Sequence, residues 1–279
     1  MRLYLAVSFL SLTAVSSGQL AIERPRETGT SVTGAFEGWF KNPDGSFSFL
    51  LGYYNRNLKQ ELDISIGTDN RIEPGGPDRG QPTHFVPGRG WGVFTVRVPV
   101  DFGDNKLTWT LTANGTTTVI PARLKTEYEI SPLKEFSVGN TPPVLSFSAG
   151  GPANQGPQFQ SFLAEYKAKV GAPLPITVWV ADDAKPVSNS SIAPRPGTPP
   201  VTLRWLKYRG PGQVVFSEER PAVEKLTAGT GFHGKASVTA TFGQAGEYIL
   251  HVVGNDYSGE GGSGFQCCWS NAQIKVMVE

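Results

Sequence analysis

The chain has 279 residues, including 33 Gly and 22 Pro, with 11% aromatic and only 18% charged residues. That balance holds too many turn formers for a helical bundle and too many core formers for a disordered chain, which leaves an all-β protein of about two domains. Its 25 basic residues are interspersed with 24 acidic ones, so no basic face exists to neutralise phosphates, which excludes nucleic acid, and no polybasic cluster marks a membrane surface.

Residues 1–18, MRLYLAVSFLSLTAVSSG, place Arg2 before an apolar run from Leu3 to Val15, followed by small residues. This reads as a signal peptide cut near Gln19, because the run is shorter than the ~20 apolar residues that span a bilayer. No later stretch is apolar enough to anchor the mature chain. The expected location is secreted or periplasmic. Residues 19–30 carry no hydrophobic period and are expected to form a flexible leader.

From Ser31 the texture changes to two aromatic-rich runs around Asn42-Pro43-Asp44-Gly45. Pro43 presets φ, Asp44 can bond its own backbone and Gly45 supplies the left-handed residue, which predicts a hairpin. Leu62, Ile64 and Ile66 alternate with polar residues as a short strand. Residues 67–90 hold so many Gly and Pro that an irregular surface loop is expected, of a length that is often functional. Strand texture returns in WGVFTVRVPV and KLTWTLTA, and Asn114-Gly115 predicts a second hairpin. The pattern lapses over residues 132–143, where a linker is placed between a first sandwich, 31–131, and a second, 144–279. In the second half QSFLAEYKAKV reads as a short helix, and ITVWVADD, VTLRWLKY, QVVFS, KASVTATF and AQIKVMV as strands.

The run from Gly243 to Gly259, GQAGEYILHVVGNDYSG, organises that half. Tyr248, Leu250 and Val252 fall on one face of a strand and Ile249, His251 and Val253 on the other, both mostly apolar, before Gly254, Asn255 and Asp256 end it. The pattern resembles the penultimate strand of PKD-like and other immunoglobulin-like modules of bacterial surface proteins. That resemblance, which covers only the second half, implies an immunoglobulin-like sandwich there; with the regularly spaced short strands and turn signals of the first half, the expected architecture is two tandem immunoglobulin-like antiparallel β-sandwich domains. In the first half, the strings GYYNRN and PGGPDRGQPTHF resemble secreted bacterial proteins from which no activity carries over.

No GxSxG, HExxH, P-loop or strand-to-helix GxGxxG occurs, so the usual enzyme signatures are absent. Three candidate sites remain. Trp39, Tyr54, Asn55, Arg56, Arg79, His84, Arg89 and Trp91 combine aromatic platforms with amide and guanidinium donors on or beside the first hairpin and the long loop, as sugar or peptide recognition requires; burial in the core is the competing reading. Asp182 and Asp183 end one strand and Asn255 and Asp256 another, so oxygen ligands meeting at one pole could hold Ca²⁺, against a reading of these residues as loop caps. Cys267 and Cys268 are adjacent, and a trans peptide would hold their Cα atoms ~3.8 Å apart, below the usual ~4.4–6.8 Å disulfide range. A vicinal disulfide, two thiols and a soft-metal site compete, in that order. His251, within an apolar strand, reads as structural. The function these features imply is an exported, non-catalytic binding or scaffold protein with an envelope protein or glycan as partner; an exported hydrolase and a Ca²⁺-rigidified adhesin or stalk are the alternatives.

Overall fold

The computed structural model describes residues 23–135, 139–185, 199–226, 229–256 and 267–279. The expected signal peptide, residues 19–22 of the expected leader and residues 257–266 are among those that lie outside them. Among the described residues no helix is long and apolar enough to cross a membrane.

The first half contains β1 (Val32–Lys41), β2 (Phe47–Asn55), β3 (Leu62–Asp63), β4 (Asn70–Glu73), β5 (His84–Phe85), β6 (Gly88–Val98), β7 (Leu107–Ala113) and β8 (Thr116–Ala122). They form a β1-β2-β6 sheet, a β4-β7-β8 sheet and a small β3-β5 ladder. Both hairpins form as their turn residues dictate. Lys41 pairs Phe47 around a turn closed by Gly45 N donating to Asn42 O, and Ala113 pairs Thr116 around Asn114 and Gly115, both at positive φ. The core between the sheets is aromatic, with Phe94 packed edge-on against Trp109.

The second half contains β9 (Val144–Ser146), β10 (Ala153–Gln155), β11 (Ala164–Ala168), β12 (Leu174–Asp182), β13 (Thr202–Arg209), β14 (Val214–Phe216), β15 (Glu224–Lys225), β16 (Phe232–Phe242), β17 (Gly246–Asn255) and β18 (Trp269–Val278). One sheet runs β10-β9-β12-β16-β14 and the other β11-β18-β17-β13. With β9, β12, β13, β14, β16, β17 and β18 as strands A to G, these are the ABED and CFG sheets of the immunoglobulin sandwich, with β10 and β15 added to the first sheet and β11 parallel to the last strand of the second. The chain is thus all-β.

Three expectations change. QSFLAEYKAKV supplies β11 rather than a helix: Ala164, Tyr166 and Ala168 pack on the core, so its burial has period two, and pairing with β18 overrides local propensity. Residues 67–90 are not one irregular loop, since β4, β5 and the start of β6 lie within them. The expected leader is tied down where it is described. Leu58 N donates to Arg26 O and Lys59 N to Glu27 O, giving its backbone partners that a flexible segment would lack.

Candidate functional site

The two sandwiches meet along one face of the β13-β17-β18 sheet. Along β17, Tyr248, Leu250 and Val252 enter the second core, while Ile249 packs against the first core and Tyr208 of β13 belongs to it. The meeting surface is shaped by three bulges, each re-aiming a side chain. The register of β1 slips at Glu37, whose carboxylate accepts from Arg89 and from Gly92 N at 2.7 Å. One residue of β2, Gly52, faces Trp91, Gly92 and Val93 of β6, so this stretch swells toward the second sandwich. β13 slips at Tyr208.

Gly92 has φ of +48°, and a Cβ there would come within 2.1 Å of the Trp269 ring, so only glycine fits. Asn271 Nδ2 donates to Gly92 O at 2.7 Å, and Thr83 N to Tyr208 O at 3.1 Å. Arg209 grips Asp78 with two bonds, 2.9 and 2.8 Å, the fork geometry that gives orientation as well as energy. Lys207 Nζ lies 2.9 Å from Asp63, whose other neighbour is His84 Nδ1 at 2.9 Å. Burial favours the neutral form of Asp63, but the bonds from His84 and Lys207 outweigh it and hold its carboxyl below the usual range. Glu37 goes the other way: burial raises it despite Arg89 and Gly92. His251 is enclosed, with Nε2 3.2 Å from Asn271 Oδ1, Nδ1 3.3 Å from Gln273 Nε2 and its ring stacked on Tyr208. Burial pulls His251 down to about 4, so it is neutral at pH 7.

Two cavities lie at this joint. One, of about 40 Å³, is lined by Tyr53, Arg89, Trp91, Arg204, Asn255 and Trp269 among others. The second, of about 240 Å³, is walled by Phe94, Phe159 and Phe162 with Arg209 and Asn271. Arg89 lies 4.1 Å from the centre of the Trp91 ring, a cation–π contact. Tyr53 O–H accepts from Val86 N, and burial pushes its phenol up to about 12.

Of the eight residues expected to bind a ligand, the structure brings His84, Arg89 and Trp91 to the small cavity. The others go elsewhere. Trp39 is a core residue whose indole donates to Lys125 O, and Asn55 is buried, its amide bracing Gln60 O and Phe85 O. Arg56 sits over Tyr54 and binds Thr33, while Arg79 donates to Pro74 O and Arg97 O and lines the second cavity. Arg204 and Trp269 went unnoticed in the sequence. The signal available for them was the second apolar face of β17, which requires a neighbour and so implicates the strands beside it.

Just beyond the same ends of β17 and β18, Asn140 Nδ2 donates to Asp256 at 2.7 Å, and Thr141 donates to Asp183 through both its N and its hydroxyl. Lys185 also lies 3.4 Å from Asp183. Burial pushes Asp182 up to about 7, with Asp256 and Asp183 adding to the rise and a bond from Ala184 N opposing it. Asn255 is not part of this pole, since it faces the small cavity. Among the described residues no group of three or more His, Cys, Asp or Glu is arranged to hold a metal ion. Cys267 and Cys268 form a vicinal disulfide across a cis peptide, with Cα atoms 3.1 Å apart, directly before Trp269.

No protein-family model and no curated protein matches the chain. Solved structures similar to it include domains 4 and 5 of the S-layer protein SbsC (TM-score 0.24, 11% identity, 89% of this chain and 98% of that one). A titin immunoglobulin tandem gives 0.21, 13%, 90% and 99%, and a domain of intimin 0.24, 14%, 88% and 99%. Scores this low carry no argument, and the immunoglobulin-like character of the second sandwich stands on its strand order.

Proposed function

We propose that this chain is an exported, non-catalytic binding or scaffold module in which two sandwiches, joined through residues 132–143, act as one rigid unit. The observation that carries the reading is the joint. Three bulges, a glycine only its neighbour explains and a forked Arg209–Asp78 pair converge on one docking geometry, where a flexible tether would need none of them. Export is supported by the signal-like residues 1–18, and the disulfide suits an oxidising compartment. A PKD-like kinship and a partner in the envelope, protein or glycan, belong to the same proposal.

Catalysis finds less support. Asp182 and Asp256, the acids that influence one another, line neither cavity at the joint. Expression of the full chain, cell fractionation and intact-mass measurement test the placement. Recovery outside the cytoplasm with cleavage near Gln19 is expected; an uncleaved cytoplasmic chain contradicts export.

A further inference from the structure

We propose that the small cavity at the joint binds a carboxylate, held by the Arg204 guanidinium and the Trp269 indole N–H. The inference rests on the joint being a fixed unit. Three residues that line the cavity carry buried polar atoms with no hydrogen-bond partner among the described residues: Arg204 Nε, Trp269 Nε1 and Asn255 Oδ1. A buried polar atom left alone forfeits its hydration with nothing in return, so native structures seldom leave three in one place. Register explains their meeting. Asn255 pairs with Trp269 on one side and Thr202 on the other, and Arg204 pairs with Val253 two residues along. The three therefore occupy adjacent rows of one sheet face, the face turned to the first sandwich.

Charge fixes the sign of the ligand. Of the cations around the cavity, Arg89 is paired with Glu37 and Lys207 with Asp63. Arg204 has no carboxylate partner among the described residues. Glu61, the other carboxylate nearby, is turned to His84 Nε2 at 3.3 Å, which leaves the Arg204 guanidinium as the cation available to a monoanion.

Size and geometry narrow the class. A volume of about 40 Å³ is roughly three times the ~10–15 Å³ that one water needs. That admits a group of three or four heavy atoms, such as a carboxylate, and rejects a sugar ring or a nucleotide. A carboxylate offers one oxygen to the guanidinium, in a charge-assisted bond, and the other to the indole, which can only donate. The Asn255 amide presents either its oxygen or its nitrogen by a flip. The Tyr53 and Trp91 rings wall the space, and Arg204 and Trp91 are only half-buried, so the rim is open to solvent.

The test is titration of the full chain with sodium acetate at constant ionic strength, with sodium chloride as the balancing salt, followed by isothermal titration calorimetry and, in chains that keep Trp269, by its indole N–H resonance. Saturable binding is expected, weakened at least tenfold by Arg204→Gln and also weakened by Trp269→Phe, which keeps a ring but removes the donor. An acetate response no larger than that of chloride, or full-strength acetate binding in both variants, overturns the site and leaves the cavity to water. If the wild-type chain binds no acetate yet melts as one unit, the carboxylate site alone fails. Separate melting of its two sandwiches overturns the joint and the site with it.

Discussion

The two faces of β17 are both covered but chemically unlike, with Tyr248, Leu250 and Val252 fully buried on one and Ile249 and Val253 half-buried on the other. Tyr248, Leu250 and Val252 close the second core against apolar side chains, such as Phe242 with its ring 4.9 Å from Tyr248. Ile249, His251 and Val253 meet the first sandwich through a surface where His251 bonds Asn271 and Gln273, and where three polar atoms around a cavity have no partner among the described residues. Apolar packing is non-directional and tolerates several arrangements, whereas buried hydrogen bonds are satisfied in few. The first face therefore secures the fold, and the second specifies how one fold sits on another.

The largest expected effect breaks the first face. Leu250→Ala removes a side chain that is 0% exposed and should cost about 3 kcal/mol, read as a lower denaturation midpoint. A loss below about 1 kcal/mol would mean the site collapses onto its neighbours.

Acid should act on the second face. His251 has its folded pKa depressed to about 4, so its contribution to stability is full above the unfolded value of ~6.5 and is lost as pH falls toward 4, about 3 kcal/mol in all. Urea denaturation at pH 7 and pH 4.5 checks this against His251→Gln, which should lose much less over the same interval. Asp182 is predicted to tilt the balance the opposite way, since its folded pKa is raised to about 7: its contribution is full below pH ~4 and lost as pH rises through 7. Asp182→Asn should remove that slope.

Much of this contrast was legible in the sequence. The period-two run Glu247 to Val253 shows both apolar faces, and the turns at Asn42 to Gly45 and at Asn114-Gly115 identify themselves by residue type. What the second face docks on was hidden for physical reasons. The bulges at Glu37, at Trp91 to Val93 and at Tyr208 depend on partner strands far away in the chain and leave no local period. Arg204, one charge in an alternating strand, looks solvent-facing until the neighbouring sandwich is in place. Asn255 and Asp256 are adjacent in sequence, yet they serve the cavity and the acidic pole respectively.

A smaller effect sharpens the comparison. Gly92→Ala would place a methyl 2.1 Å from the Trp269 ring at a φ of +48°, which should weaken the joint by about 2 kcal/mol while leaving both cores intact. Gly243→Ala is the control. Its nearest contact would be 3.7 Å, so a change within about 0.5 kcal/mol is expected.

The most direct measurement is differential scanning calorimetry of the full chain at neutral pH, alongside Gly92→Ala. A rigid joint predicts one cooperative transition, with calorimetric and van't Hoff enthalpies equal, and its division into two in the variant. Two independent transitions already present in the unmodified chain would contradict the claim that the sandwiches form a single unit.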